Sequence, residues 1–351
     1  MADDTAPPKS PDAIGTAVAS NDAWLARRPA EDILEPELPI VDPHHHLWDH
    51  KRHRYLLDEL RADTGSGHRI VATVFVDCMA FYRADGPPAL RPVGETEFAN
   101  GVAAMCASGA YGELRACAGI VGFADLTLGA AVQEVLTAHI AAGGGRFKGI
   151  RHAGGWDASP MIHNSHTKPT RSLYADATFR QGFAQLAPLG LSFEAWQYHP
   201  QLPDVIDLAR AFPQTSIILN HVGGPLGVGP YAGRNDEVFA DWRRHMAELA
   251  GCPNVTVKLG GLGMRIGPIQ HFEQPDPPTS TEVADAWRPW IAACIESFGA
   301  ERCMFESNFP VDKASASYAV LWNAFKRLAA GASATEKTAL FSGTASRVYR
   351  L

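Results

Sequence analysis

The sequence predicts an α/β protein, a (β/α)8 TIM barrel with an N-terminal extension. Short apolar or β-branched runs alternate with longer amphipathic stretches, and the short runs number eight. No glycine-rich dinucleotide-binding fingerprint follows the first run, which disfavours a doubly wound open sheet. A chain of 351 residues often forms two domains, but a (β/α)8 barrel of this length forms one.

The extension covers residues 1–38. Residues 1–20 are rich in Ala, Pro, Ser and Asp and are expected to form an arm, and a short helix should begin at an Asn21 cap and stop near Pro36. Residues 39–351 are assigned to the barrel. The expected strands are PIVDPH (39–44), RIVATVFVD (69–77), LRACAGIVGF (114–123), RFKGIRH (146–152), LSFEAWQYH (191–199), SIILNH (216–221), NVTVKLG (254–260) and RCMFESN (302–308).

Amphipathic stretches between these strands predict the helices, and several of them end in Gly or Pro. Two connections are long, residues 153–178 after strand 4 and residues 261–283 after strand 7. Both follow the carboxyl end of a strand, the face at which barrels of this class build their sites. We therefore expect these loops to form lids or binding walls.

Composition narrows the class of partner. The formal net charge is -7, from 31 basic and 38 acidic side chains, which argues against nucleic acid as the main partner. The start of the chain lacks the basic and apolar regions of a signal peptide, and no apolar run approaches the length of a membrane span. The six cysteines form no C-x-x-C pair and are expected to be reduced. We expect a cytoplasmic protein with a small-molecule substrate. The oligomeric state stays open, and in a homo-oligomer the arm could pack across the interface.

Histidines fall at the ends of several expected strands. His44 and His46 end strand 1, His199 ends strand 5 and His221 ends strand 6. Because the carboxyl ends of parallel strands share one barrel mouth, these imidazoles can converge. Alternation along the strand puts His44 and His46 on one side and turns His45 away. Taken singly, a strand-end histidine is more often structural or exposed, so the prediction depends on their number.

Two imidazoles at i and i+2 of a strand suit a divalent metal, because both nitrogens enter one cavity. Alternation also places Asp42 on the face of His44 and His46, one step deeper, where it could orient them. Arg151 and His152 end strand 4, and Trp156 in the following loop is expected to wall an apolar part of the substrate, with core packing an equal alternative.

Four segments carry a family resemblance: IVDPHHHLWD, FKGIRHAGGWD, LNHVGGP and RCMFESNFPVDK. Together, and in this order, they resemble the amidohydrolase-related (amidohydrolase 2) family of metal-dependent TIM-barrel hydrolases. The branch is the one that contains 2-pyrone-4,6-dicarboxylate lactonase and L-rhamnonolactonase. The resemblance spans residues 39–351 and implies hydrolysis of a lactone or similar ester.

The resemblance also implies roles. His44, His46, His199 and His221 would be catalytic, and His44, His46 and His199 would bind one divalent ion, with zinc as the first choice. Polarisation of the carbonyl by histidines without a metal stays open. Arg151 would grip a substrate carboxylate, with an ion pair as the alternative, and His152 and Trp156 would contact the substrate.

One departure concerns the general base. The family usually ends strand 8 with Ser-Asp-x-Pro, and its aspartate activates water, whereas this chain has Asn308 there. An amide cannot take a proton at neutral pH. Glu306 is the first candidate for the base, a histidine of the cluster the second, and Asp312 and Asp77 follow. Asn308 would still bind water or substrate, and a structural role for Glu306, paired with a lysine, stays open.

The sequence therefore predicts a hydrolase that opens a lactone, expected to carry a carboxylate, by water attack. One alternative is a decarboxylase or hydratase of an unsaturated or aromatic acid on the same barrel, because loss of the strand 8 aspartate would suit a shift away from water activation. The other is a binder that kept the fold and lost its chemistry.

Overall fold

The computed structural model describes residues 21–50 and 53–351. Within them, eight parallel strands form one sheet in which each strand pairs with the next along the chain. The expected strands are confirmed, although the fifth, the sixth and the eighth are half as long as predicted or less. The barrel strands are β1 (Ile40–His45), β2 (Ile70–Val76), β3 (Arg115–Gly122), β4 (Phe147–Arg151), β5 (Ser192–Ala195), β6 (Ile217–Leu219), β7 (Val255–Leu259) and β8 (Cys303–Phe305).

The sheet closes where the chain after β8 returns to β1. His46 N donates to Phe309 O at 2.8 Å, and Asn308 N donates to His44 O at 3.0 Å. His45 and Phe309 also form a parallel bridge. These bonds complete the predicted (β/α)8 barrel and bring the carboxyl ends of β1 and β8 side by side.

Helices surround the sheet. Leu136, Trp242 and Trp287 from three of them share one buried apolar cluster with strand residues such as Phe193. None of the helices in the described part of the chain has both the length and the apolar character needed to cross a membrane. The helices are α1 (Asp22–Leu25), α2 (Leu57–Thr64), α3 (Val93–Ala107), α4 (Val132–Ala142), α5 (Ala177–Phe183), α6 (Leu202–Ala211), α7 (Asn235–Ala250), α8 (Ser280–Phe298), α9 (Tyr318–Leu328), α10 (Ala334–Thr338) and α11 (Thr344–Tyr349).

Two short pieces complete the element order. A two-stranded antiparallel hairpin, Trp48–His50 with His53–Tyr55, follows β1. A π-helical turn, Ala339–Gly343, joins α10 to α11.

A smaller apolar cluster occupies the barrel interior. Val41, Val74, Ile218 and Met304 point inward from four strands, and Tyr349 of α11 packs against them. Inward positions nearer the carboxyl ends are polar instead, so the functional groups lie above this apolar layer.

The segment before β1 differs from the prediction. Its helix ends at Leu25, well before Pro36, and the Asn21 side chain donates to Ala314 O at 2.8 Å and makes no cap bond. Pro29 follows closely, and a proline disfavours helix in the residues before it. Residues 26–38 lie along the barrel, where Lys326 Nζ donates to Leu34 O at 2.7 Å. The expected arm over residues 1–20 lies outside the described residues.

Candidate active site

Two histidines and a glutamate meet at the barrel mouth, where β1, β6 and β8 end. Glu306 Oε2 lies 2.7 Å from His44 Nδ1, and Glu306 Oε1 lies 2.7 Å from His221 Nδ1. All three side chains are buried. We call His44, His221 and Glu306 the central cluster. A buried carboxylate is thus shared between imidazoles from distant parts of the chain.

The turn after β6 aims His221 at this carboxylate. His221 N donates to Glu306 Oε1 at 3.0 Å, so the backbone and the ring bind the same oxygen. This requires positive φ angles at His221 (53°) and Val222 (46°), a conformation that non-glycine residues adopt rarely and mostly at functional sites. The Trp196 ring packs edge-on against His221, with centroids 4.7 Å apart. The ring of His221 is therefore held in one orientation.

His46 lies beside the central cluster. Its Nδ1 lies 2.8 Å from Val76 O, and because a carbonyl only accepts, Nδ1 carries the hydrogen. Its Nε2 lies 3.2 Å from His44 Nε2. Burial lowers the pKa of both His44 and His46 well below the ordinary value, and nearby cations lower it further. Both rings are therefore neutral, and the free nitrogen of His46 faces His44.

A buried ion pair lies next to His44. Lys258 Nζ is 2.7 Å from Glu194 Oε2 and 3.3 Å from His44 Nδ1. Glu194 also accepts hydrogen bonds from Asn220 Nδ2 and from the Tyr349 hydroxyl. Sequence reasoning missed Glu194. The available signal was a lone acidic residue in an apolar strand, matched by a lone lysine in β7.

Arg151 approaches His44 from the other side, with Nη1 3.4 Å from His44 Nε2. Its Nε donates to Asp77 Oδ1 at 2.7 Å, and its Nη2 donates to Asp77 O. The remaining oxygen, Asp77 Oδ2, lies 3.6 Å from Nε2 of His166 in the 153–178 loop. Two of the three guanidinium nitrogens are thus occupied by one aspartate.

Three of the residues expected in the site contact other parts of the molecule. His199 Nδ1 accepts from Leu226 N at 3.2 Å, and its ring packs against Tyr231. His152 Nδ1 accepts from Leu126 N at 3.2 Å. Trp156 N donates to a glutamine side chain at 2.9 Å. Burial lowers the pKa of His152 and of His199 to about 4, so both rings are neutral acceptors at these positions.

Asn308 also has a partner outside the central cluster. Its Nδ2 donates to Asp312 Oδ1 at 3.0 Å. Burial, with the charge of Glu306 adding to it, raises the pKa of Asp312 to about 8. At neutral pH Asp312 is therefore protonated, which makes it a poor base.

Asp42 does not lie on the face of His44 and His46, contrary to the prediction. Its oxygens accept from Ser307 N at 3.0 Å, from Ser307 Oγ at 2.6 Å and from the Tyr318 hydroxyl at 2.9 Å, outside the barrel interior. The ladder between β1 and β2 shifts register between Asp42 and His45, and this shift breaks the simple alternation.

The model of the amidohydrolase family matches residues 41–351. The chain belongs to the amidohydrolase family. An uncharacterized protein, y4mH, of Sinorhizobium fredii is 32% identical over 90% of this chain and 99% of its own length. The L-fucono-1,5-lactonase of Burkholderia multivorans is 27% identical over 89% of this chain and 96% of its own length. A solved amidohydrolase from Burkholderia multivorans with bound zinc is 25% identical, covers 89% of this chain and 99% of its own, and superposes with a TM-score of 0.68.

The donors of this amidohydrolase fit one divalent ion. The ligand atoms of the central cluster all lie within 4.8 Å of one another. Glu306 Oε2 is buried and makes no well-aligned hydrogen bond, although His44 Nδ1 is 2.7 Å away. Two nitrogens bound to a tetrahedral zinc at about 2.0–2.1 Å are separated by about 3.3 Å, close to the 3.2 Å between His44 Nε2 and His46 Nε2.

The charge of the surroundings agrees with a cation. Two buried cations, Lys258 and Arg151, face three carboxylates, Glu194, Asp77 and Glu306, which leaves one excess negative charge. Of the three residues expected to hold metal, His44 and His46 are adjacent. His199 is not one of the three donors of the central cluster, and it lies four residues beyond Ala195, the last residue of β5.

Proposed function

We propose that this amidohydrolase is a lactonase that opens an uncharged, hydroxyl-bearing lactone by attack of water. The observation that carries the proposal is the hydrogen bond between His221 Nδ1 and Glu306 Oε1 at the barrel mouth. The similarity to an L-fucono-1,5-lactonase along nearly the whole chain supports the choice of a cyclic ester.

The pair can move a proton. Because Nδ1 of His221 donates to Glu306, Nε2 of a neutral ring keeps its lone pair and can accept a proton from water. The Glu306 carboxylate would stabilise the imidazolium that forms. Glu306 would therefore act through His221, and the missing carboxylate at position 308 would not prevent base catalysis.

The cations beside His44 suit the other half of the reaction. Attack on an ester carbonyl develops negative charge on its oxygen, and preorganised positive groups stabilise that charge. Lys258 Nζ and Arg151 Nη1 lie 3.3 Å and 3.4 Å from the two nitrogens of His44. A divalent ion held by His44 and His46, whose Nε2 atoms lie 3.2 Å apart, would supply further polarisation of the carbonyl and leave Nε2 of His221 free as the base.

The contacts of Arg151 favour a substrate without a carboxylate. Asp77 occupies two guanidinium nitrogens, so no free fork is left for a second carboxylate. Asp77 Oδ2 and His166 Nε2 are buried without hydrogen-bond partners in the described residues. An acceptor and a ring nitrogen placed together in this way suit a substrate hydroxyl, which both donates and accepts. These contacts weaken the expectation of a carboxylated lactone.

The test is hydrolysis of a lactone panel by the purified protein, with and without chelator. We expect turnover of uncharged aldonolactones, little turnover of a dicarboxylated pyrone lactone, and about 100-fold slower turnover after His221→Gln. Product mass separates the alternatives, since hydrolysis adds water and decarboxylation removes carbon dioxide. No turnover of any lactone, or unchanged turnover by the His221→Gln variant, would overturn the proposal.

A further inference from the structure

A cavity lies at the opposite end of the barrel from the central cluster. Its volume is about 400 Å³, within the range of small-molecule sites. It is formed where β3 and β4 begin and where α3 and α11 end, and we call it the basal cavity. The proposed lactonase chemistry makes no use of it.

Four basic side chains line the basal cavity: Arg115, Arg146, Lys148 and Arg350. No aspartate or glutamate is among its lining residues, although the chain as a whole carries a net charge of -7. Four cationic side chains that line one cavity without an acidic side chain concentrate positive potential there, which attracts anions.

Three of these cations, Arg115, Arg146 and Lys148, donate to neutral groups. Arg115 Nη1 donates to a backbone carbonyl at 3.3 Å, and Arg146 Nη1 donates to Asn100 Oδ1 at 2.8 Å. Lys148 Nζ donates to the carbonyls of Gly145 and Arg350, at 3.0 Å and 3.3 Å. Throughout residues 21–50 and 53–351, no carboxylate side chain forms an ion pair with any of the four. Burial lowers the pKa of Lys148, and the charges of Arg350 and Arg146 lower it further.

The floor of the basal cavity is apolar. Ala72, Ala103 and Ala116 are buried beneath it, and Leu351 adds an aliphatic side chain. On the rim, Gly145 has a φ of +82°, and a Cβ built there would meet no atom within 4 Å, so the space beside it is open. A ligand that fills this space would bury an apolar body and present its charge to the rim.

We propose that the basal cavity binds a small organic anion, one with an apolar body and a carboxylate or phosphate group held by the arginines. Arginine pairs with either group bidentately, and both groups would relieve the mutual repulsion of the cations. The assignment is independent of the lactonase proposal, because it names different residues at the other end of the barrel.

A structural explanation competes with this proposal. Helices α3 and α4 end at Ala107 and Ala142, close to the cavity, and cations near a helix carboxyl end stabilise its carbonyls. If the arginines have only this structural role, removing them would lower the melting temperature, and the wild type itself would bind no anion in the basal cavity.

The experiment titrates the full chain by calorimetry with benzoate and with phenylphosphate, and with benzamide and inorganic phosphate as controls. We expect saturable binding of at least one aromatic anion and none of benzamide. Benzoate alone would identify a carboxylate site, and phenylphosphate alone a phosphate-ester site. In the double variant Arg115→Gln, Arg350→Gln the affinity should fall about tenfold for each arginine removed.

Two further variants separate the outcomes. Arg69→Gln is the matched control, because Arg69 is also exposed and also donates only to a backbone carbonyl, Glu37 O at 3.4 Å, outside the cavity. It should bind like the wild type, and Glu306→Gln should bind like the wild type as well. The proposal fails if no probe shows saturable binding, or if inorganic phosphate binds as tightly as phenylphosphate. It also fails if Arg69→Gln loses as much affinity as the double variant. If Glu306→Gln abolishes binding, the anion occupies the active site and the proposal is again wrong.

Discussion

Glu306 determines the arrangement of the central cluster. One of its oxygens accepts both the ring and the backbone hydrogens of His221, and the other faces His44. Sequence reasoning nominated Glu306 as the base that replaces the absent aspartate at position 308. The hydrogen bonds favour an indirect role, in which Glu306 orients His221 and balances its charge.

The first prediction concerns Glu306→Gln. The amide keeps the shape and can still accept from His221, but it cannot balance an imidazolium in a buried site. We expect kcat on a lactone substrate to fall about 100-fold or more. Metal content measured by elemental analysis should fall as well, because the neutral amide removes the excess negative charge that favours a divalent ion.

His139→Gln is the control for this variant. His139 lies on α4, behind the sheet, and is equally buried. Its ring nitrogens contact Thr96 Oγ1 and Phe123 O. This variant should keep its kcat while losing some stability. Equal losses of activity in the two variants would mean that burial of a polar group, and not the central cluster, determines the effect.

The second prediction concerns Asn308→Asp. Asn308 donates to Asp312, whose pKa is about 8, so a carboxylate at position 308 would accept a hydrogen bond from the protonated Asp312 below that pH. In the Glu306→Gln background, the added carboxylate should restore at least about tenfold of the lost kcat at pH 7. A folded double variant, verified by its melting temperature, that recovers no activity would show that position 308 cannot reach the attacking water.

At the scale of elements, the joint between β1 and the chain after β8 positions half of the site. Asp42 accepts bonds from Ser307 N, Ser307 Oγ and the Tyr318 hydroxyl, so it ties β1 to the end of β8 and to α9. His44 lies two residues after Asp42, and Glu306 lies one residue before Ser307. This joint therefore holds two members of the central cluster at their observed separation.

The third prediction compares Asp42→Ala with Tyr318→Phe. The alanine leaves two buried donors, Ser307 N and the Tyr318 hydroxyl, unpaired and should lower the free energy of unfolding by about 3 kcal/mol. The phenylalanine removes one neutral donor and should cost about 1 kcal/mol. Urea denaturation measures both. If the two variants lose similar free energy, Asp42 is not the centre of the joint.

The sequence was enough to predict eight strands, their order and the convergence of His44 with His221, because parallel strands share one direction. It was not enough to predict where each ladder ends. Aromatic residues recur after Ser192 as far as Tyr198, but β5 stops at Ala195, where Asn220 N makes the last bond to it. That end depends on the turn after β6, which composition does not reveal.

Residues that act in pairs across the barrel were also hidden. Glu194 reads as an isolated acid in its strand, and its partner Lys258 lies 64 residues away. Only the register of β5, β6 and β7 brings the two together. The side of β1 on which Asp42 lies depended likewise on a register shift that alternation alone cannot anticipate.

At the scale of the whole molecule, polar contacts run through the barrel from mouth to base. Glu306 contacts His44, His44 contacts Lys258, and Lys258 pairs with Glu194. Glu194 in turn accepts from Tyr349 of α11, at the end of the barrel where the basal cavity opens. Buried polar groups stabilise a fold only in the protonation state that matches their partners. The free energy of unfolding of this barrel should therefore depend strongly on pH.

Buried groups of both kinds set that dependence. Burial lowers the pKa of five imidazoles to about 3 or 4, and each would take up a proton on unfolding below its ordinary value of 6.5. These imidazoles are His45, His68, His139, His152 and His199. Burial raises the pKa of three carboxyls, that of Asp42 to about 6 and those of Glu95 and Asp312 to about 8.

The fourth prediction is a stability maximum near pH 6.5. The imidazoles contribute stability that is present above pH 6.5 and lost as the pH falls towards 4. The carboxyls contribute stability that increases as the pH falls over the same range. Because the five imidazoles outnumber the three carboxyls, the net stability falls below pH 6.5. Of the three carboxyls, only Glu95 and Asp312 still titrate above pH 6.5, and their contribution to stability is lost as the pH rises to about 8. The free energy of unfolding, measured in urea across this range with chelator present, should be lower by about 2 kcal/mol or more at pH 5 and at pH 8 than at the maximum. In the His139→Gln variant, the slope of the free energy of unfolding against pH should decrease by about one proton on the acidic side and stay unchanged on the alkaline side. A free energy of unfolding that only rises or only falls with pH would contradict the pKa shifts of the imidazoles or those of the carboxyls.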